Sequence, residues 1–210
     1  MPGERTGPVA GVVLAAGTSS RMGENKLLFR VEGETLVRRA VQTALSAGLE
    51  PVIVVLGHEA ERAIAELSGL EIEPVFNDEY VRGIHTSLKT GIAAVPAGLC
   101  AVVVILADMP FVTSAMITQL LERYRDSSAL AVVSDYAGVQ APPTLYDRAL
   151  FPELGAAKGE GCGKQVLRRH EKEIEAVSWP AAALTDVDKP EDYQRVSAKL
   201  GKEIPCATTS

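Results

Sequence analysis

The sequence predicts an α/β fold with a mostly parallel central sheet covered by helices on both faces. Three observations predict it. Short continuous runs of Val, Ile and Leu alternate with stretches whose apolar residues recur at helical spacing. Continuous apolar runs are what strands buried on both faces require. The repeated strand, helix, strand order calls for crossover connections, and crossovers join parallel neighbours.

The first strand is the run through Val12-Val13-Leu14-Ala15-Ala16, which breaks at Gly17 into a small polar loop. Between Glu34 and Gly48, the residues Leu36, Val37, Ala40, Val41, Ala44 and Leu45 mark one helical face, with Gly48 as its stop. Pro51 opens the second strand, Val52 to Leu56. Ala60, Ala63, Ile64 and Leu67 repeat the helical spacing, and Glu71 to Phe76 reads as a third strand. A helix over Gly83 to Val95 precedes the most apolar strand, Ala101 to Leu106, and Thr113 to Tyr124 is a further amphipathic helix. Beyond it the spacing predicts a strand over Leu130 to Ser134 and a turn through Gly138 and Pro142-Pro143. Helices follow near Asp147 to Leu154 and Cys162 to His170, then a strand near Ile174 to Trp179 and a last helix over Glu191 to Leu200.

A chain of 210 residues supports one well-buried core, expected over 9–200 between a loose stretch at 1–8 and a loose polar tail at 201–210. A net charge of −6 excludes a general electrostatic footprint for nucleic acid, so any basic site is local. No apolar run approaches the roughly 20 residues that span a bilayer, and Met1 to Pro8 lack a signal core. The expectation is a cytoplasmic protein with small-molecule substrates and neither nucleic-acid nor membrane partners. Cys100, Cys162 and Cys206 are too far apart for a metal pair or a disulfide framework. His58, His85 and His170 have no ligand spacing.

The loop after the first strand reads as a phosphate loop. Gly17 and Gly23 let backbone amides approach an anion, Ser19 adds a hydroxyl donor, and Arg21 and Lys26 add charge. The pattern is neither Gly-x-x-x-x-Gly-Lys-Ser/Thr nor Gly-x-Gly-x-x-Gly. Asp108 follows the carboxyl end of a central strand, where open α/β sheets bind ligands, while Thr113 and Ser114 are better placed to cap the next helix. In an extended segment Asp186 and Asp188 share a side. Magnesium is satisfied by one or two such carboxylates with phosphate oxygens and water. Arg21 and Lys26 would offset phosphate charge during in-line attack at an α-phosphorus, which needs no protein nucleophile.

Three ordered motifs carry a resemblance that runs from about Val9 to Tyr193: Leu14-Ala15-Ala16-Gly17-Thr18-Ser19-Ser20-Arg21-Met22-Gly23-x-x-Lys26-Leu27-Leu28, Leu106-Ala107-Asp108-Met109-Pro110, and Asp186-Val187-Asp188-Lys189-Pro190-Glu191-Asp192. Together they resemble the molybdenum cofactor nucleotidyltransferases, MobA-like enzymes, and most of all their cytidylyltransferase branch. The resemblance implies a Rossmann-like three-layer sandwich of the nucleotide-diphospho-sugar transferase type. It implies transfer of a nucleoside monophosphate, from CTP in this branch, to the phosphate of molybdopterin, with Mg2+ and release of pyrophosphate. A molybdoenzyme or its maturation chaperone would be the protein partner.

Carried over by position, Leu14, Ala15, Ala16 and Gly17 begin the nucleotide cradle, Ser19 joins it, and Arg21 and Lys26 take the triphosphate. Asp108 becomes the main metal ligand and Asp188 the second. Asn77, Gly83 and Ser87 fall where the family contacts base and ribose. Ala16 selects the cytidylyl branch, since guanylyl-transferring relatives using GTP carry Leu-Ala-Gly-Gly. Three departures fall in the acceptor half: Ala141 where a glycine is usual, Lys189 where a threonine is usual, and Gly159-Glu160-Gly161-Cys162-Gly163 in place of an acidic Gly-Asp-x-Gly-Ala pattern. They leave open an acceptor such as a sugar phosphate or methylerythritol phosphate, or a catalytically silent module for nucleotide binding and cofactor delivery. Asn25-Lys26 in place of the Pro-Lys of sugar-phosphate relatives speaks against the former.

Overall fold

The computed structural model describes residues 5, 7–18, 24–159, 161–185, 187 and 190–200. Its elements in chain order begin with β1 (Val9–Ala15), a two-stranded hairpin of β2 (Arg30–Val31) and β3 (Glu34–Thr35), α1 (Leu36–Ser46), β4 (Val52–Leu56), α2 (Ala60–Glu66), β5 (Glu73–Phe76) and α3 (Ile84–Ala94). They continue with β6 (Ala101–Leu106), α4 (Ser114–Arg125), β7 (Ala131–Tyr136), β8 (Val139–Asp147), α5 (Phe151–Ala156), α6 (Cys162–Arg169), β9 (Ile174–Trp179) and α7 (Pro190–Leu200). The sheet order is β5-β4-β1-β6-β8-β7-β9. Neighbours run parallel except at β8, which is antiparallel to β6 and β7. This is the mostly parallel, helix-covered sheet that the sequence predicts.

Alternate residues of each central strand feed opposite faces. Val13, Val54, Val103 and Ile105 pack with Val37, Val41, Ile117 and Leu120 from α1 and α4. Val12, Ile53, Val55, Val102 and Val104 pack with Leu88 and Ile92 of α3, Leu154 of α5 and Val166 of α6. Each such fully buried Val, Leu or Ile contributes about 1.5–3 kcal/mol. Because both faces are filled by neighbours in sequence, the strand ends are the part of the sheet left for ligands.

The last third departs from expectation. Pro142 and Pro143 lie within β8, not in a turn, and the turn at Ala137–Gly138 is shorter than predicted. Proline has no N–H to give a ladder, and strands tolerate it at bulges. The pairing of β7 with β8 shifts register between Val133 and Ser134, and two hydroxyls take up the carbonyls left over. Ser134 Oγ donates to the Pro143 carbonyl at 2.7 Å and the Tyr136 hydroxyl donates to the Pro142 carbonyl at 2.8 Å. The strand predicted to end at Ser134 therefore runs on to Tyr136. The hairpin at 30–35 is also additional.

Of the N-terminal stretch expected to be loose, Arg5 is held: its guanidinium donates to the carbonyls of Ser127 at 3.0 Å and Ala129 at 2.7 Å and lies over the Tyr124 ring. The tail at 201–210 lies outside the described residues. Among the described residues no helix is long and apolar enough to cross a membrane.

Candidate active site

β1 and β6 pair in parallel with Leu14 opposite Leu106, so their carboxyl ends, and the loops that leave them, open side by side. Between these loops and the start of α3 lies a cleft of about 280 Å³. Gly17, Thr18 and Lys26 line it from the loop after β1, Asp108 from the loop after β6, and Gly83, Ile84 and Ser87 from the start of α3. Lys26 Nζ is 2.6 Å from Asp108 Oδ2, and the two side chains are only 12% and 21% exposed. Two groups 82 residues apart in sequence thus share one corner.

Lys26 is placed by its neighbours. It opens a single 3₁₀ turn, Lys26–Leu28, anchored by Leu27, which is buried in the core. Asn25, itself buried, accepts from the Leu27 N–H at 3.1 Å and donates to the His58 carbonyl at 3.4 Å. This bracket ties the lysine turn to the loop after β4. Asn25 stands in the sequence only as a departure from Pro-Lys, so its positioning role was not foreseen.

The wall that holds Ala16, Tyr80 and Gly83 is built by close approach. A Cβ on Gly57 would lie 2.8 Å from Ala16 Cβ and from Cβ and Cγ of Tyr80, so glycine is what lets the β4 loop fit between them. Tyr80 lines the cleft beside Ala16. Gly83 has φ +111°, a backbone glycine adopts at little cost, and it turns the chain from the Tyr80–Arg82 turn into α3. Asn77 is buried behind this wall. Its amide donates to Thr86 Oγ1 at 2.9 Å and Ser87 Oγ at 3.0 Å, and its Oδ1 accepts from the Glu79 N–H at 3.0 Å.

Of the residues singled out by the sequence, Leu14, Ala16, Gly17, Lys26, Gly83, Ser87 and Asp108 therefore meet around one cleft. Ala15 belongs to the opposite face of β1, packed in the core on the α1 side, and Asn77 is the strut behind the α3 start rather than part of the lining. Ser19, Arg21, Gly23, Asp186 and Asp188 lie outside the described residues. Val187 is fully buried and its N–H donates to the Asp108 carbonyl at 3.1 Å, which brings the third motif alongside the second.

The donor set was tested against a divalent cation. Asp108 presents one carboxylate to the cleft, and among the described residues no group of three or more His, Cys, Asp or Glu converges to hold a metal unaided. That fits a small hard ion bound through a carboxylate together with substrate phosphate oxygens and water, and it does not fit an all-protein cage.

A second cavity, of about 360 Å³, shares Leu14, Ile84 and Leu106 with the first and so borders it. Its walls are mainly apolar, with Leu88, Val104, Met109 and Leu184 among them. Polar groups come from Gln140, Thr144 and Tyr146 of β8 and from Lys164 of α6. Burial pushes the Tyr146 hydroxyl well above the usual phenol range, so it stays a neutral donor. Burial likewise raises the Cys162 thiol, which stays protonated. Ala141 and the Gly161-Cys162-Gly163 segment, the departures noted in the sequence, line this second cavity.

Comparison with known proteins agrees with this geometry. A family model described as a MobA-like NTP transferase domain matches residues 11–174. The chain is 31% identical over 198 residues to the purine catabolism protein PucB of Bacillus subtilis, covering 89% of this chain and 94% of that protein. It is 36% identical over 143 residues to a probable molybdenum cofactor guanylyltransferase of Opitutus terrae, covering 66% of each. The crystal structure of Rv0371c from Mycobacterium tuberculosis superposes with a TM-score of 0.81 at 26% identity, covering 91% of this chain and 98% of that one.

Proposed function

The chain belongs to the MobA-like NTP transferase family and is a nucleotidyltransferase, and on that footing we propose that it transfers CMP from CTP to the phosphate of molybdopterin, with Mg2+, releasing pyrophosphate. The observation that carries the reading is the Lys26–Asp108 contact of 2.6 Å in the lining of a cleft that borders a second, larger cavity. One cleft accommodates the nucleotide, the other the acceptor, and the reacting phosphates meet where Leu14, Ile84 and Leu106 border both.

In this reading Gly17 and Thr18 present backbone to the triphosphate, and Lys26, with Arg21, holds its charge. Asp108 and Asp188 would hold the magnesium ion, which supplies charge neutralisation and polarisation of the α-phosphoryl group. The Val187–Asp108 backbone bond supports pairing those two carboxylates. An acceptor phosphate oxygen attacks the α-phosphorus, a new P–O–P bond forms, and pyrophosphate leaves with its developing charge facing Lys26. The protein contributes position and electrostatics, with no covalent intermediate. The choice of CTP is supported by Ala16, which lines the cleft together with Tyr80 and gives a base a methyl where guanylyl-transferring relatives carry glycine.

The test is pyrophosphate release by the purified chain with Mg2+, molybdopterin and CTP, GTP, ATP or UTP in turn. Release that depends on molybdopterin and is fastest with CTP is expected. Release with GTP alone would reassign the base, and release only with a sugar phosphate would reassign the acceptor.

A further inference from the structure

The second cavity does not end at the apolar walls. It shares Gln140, Lys164 and Leu167 with an outer groove of about 490 Å³ that runs past Arg168 between α6 and the β7–β8 turn. Lys164 thus stands at the junction of cavity and groove, with Arg168 one helical turn beyond it on the same face. The groove lining carries these two cations against one carboxylate, Glu171, in a chain whose net charge is −6. Among the described residues neither Lys164 nor Arg168 has an ion-pair or hydrogen-bond partner, whereas Arg169 is committed to Glu153 at 2.6 Å.

Helix stability does not explain the lysine. Lys164 is the third residue of α6, in the first turn, where the positive end of the helix dipole disfavours a cation. Arg168 and Arg169, in the last turn, have the favourable placement. Among the described residues that line the second cavity, Lys164 is also the charged side chain.

We propose that Lys164 and Arg168 form a distal anion subsite, and that it takes a second anionic group of the acceptor, remote from the reacting phosphate. The proposal rests on reading the second cavity as the acceptor's. It narrows the acceptor to phosphate monoesters that carry a further negative group.

The test uses the full chain with Mg2+ and saturating α,β-methylene CTP, and two probes that differ only at the far end: phenyl phosphate and 4-carboxyphenyl phosphate. Dissociation constants are read by ligand-observed NMR. Lys164 and Arg168 are both solvent-exposed, so wild type is expected to bind the carboxylated probe about fivefold more tightly, the scale of an exposed charge pair. Lys164→Gln and Arg168→Gln should each reduce that advantage, the double variant should abolish it, and Lys164→Arg should keep it. Affinity for the CTP analogue should stay unchanged throughout. An advantage absent from wild type, or surviving in the double variant, overturns the subsite and leaves the acceptor reading intact. If the CTP analogue binds and neither aryl phosphate does, the acceptor reading falls, and the subsite with it. The thermal midpoint of Lys164→Gln serves as a control, since removing a cation from the first turn of α6 should not lower it.

Discussion

The ammonium of Lys26 and the carboxylate of Asp108 are 2.6 Å apart, which means that the residue suited to hold phosphate and the residue suited to hold a cation neutralise one another before either meets its ligand. In the proposed reaction, binding of a metal–nucleotide complex would exchange this pair for two others, lysine with phosphate and carboxylate with metal. The two variants therefore act in opposite senses on the metal. Lys26→Met should tighten Mn2+ binding to the nucleotide-free protein by about tenfold, measured by the loss of the free-ion electron paramagnetic resonance signal, because a close cation is removed from Asp108. The same variant should weaken CTP binding and lower kcat by about 10²–10³. Asp108→Asn should abolish Mn2+ binding and turnover together. Unchanged Mn2+ affinity in Lys26→Met would show that the contact does not compete with the ion.

Gly91 is the point at which α3 meets the sheet most closely. A Cβ there would lie 2.4 Å from Val12 Cγ1 and 3.1 Å from Val55 Cγ2, both on fully buried β-branched side chains that cannot swing aside. Gly91→Ala should cost about 1–3 kcal/mol through overpacking, despite the better helix propensity of alanine. Urea unfolding measures it. Since α3 carries Gly83, Ile84 and Ser87 at its start, the variant should also raise the KM for the nucleotide. Stabilisation would mean that the helix moves freely on the sheet.

Much of this was legible in the sequence because it rests on local pattern. β1, β4 and β6 are unbroken apolar runs, and Asp108 sits just past the end of β6, where the strand's direction alone puts it at the ligand rim, while Lys26 stands out as a cation in the glycine-bearing loop that leaves β1. The rest depends on partners distant in sequence. Pro142-Pro143 reads as a turn until the hydroxyls of Ser134 and Tyr136 are seen to take its carbonyls. Asn77 has the composition of a ligand contact and serves as a strut, because Thr86 and Ser87 use its amide. Gly57 lies in no motif and Asn25 at an unspecified position of one, and their work is to let one loop approach another.

The same proline bulge predicts a stability defect that reaches the second cavity. Ser134 is fully buried and its hydroxyl satisfies the buried carbonyl of Pro143, so Ser134→Ala leaves that oxygen without this donor. The expected loss is about 1–3 kcal/mol, measured by urea unfolding. Pro142 and Thr144 line the cavity from the same bulged segment, so the KM for the acceptor should rise while that for the nucleotide holds. A shift in both constants alike would assign the defect to the fold as a whole.

His170 closes the far end of α6 and gives the protein a pH-dependent clasp. Its Nε2 is 2.7 Å from Glu153 Oε1 in α5 and its Nδ1 3.0 Å from Glu173 Oε2. Hydrogen bonding to Glu153, then to Glu173, raises the imidazole above its ordinary 6.5. Bonding to His170 first, and to Arg169 as well, holds Glu153 below its ordinary 4.5. A histidine raised on folding stabilises fully below its unfolded value and loses that contribution as pH rises through the folded one. A lowered carboxylate stabilises above its unfolded value and loses the contribution as pH falls through the folded one. The two windows overlap between about 4.5 and 6.5, so the gap in unfolding free energy between wild type and His170→Gln should be widest near pH 5.5. It should close as pH rises through the raised histidine value, and the clasp is exposed enough that added salt should shrink it at every pH. A gap that stays constant with pH would mean that the ring contributes by packing alone and that its charge does not hold α5 to α6.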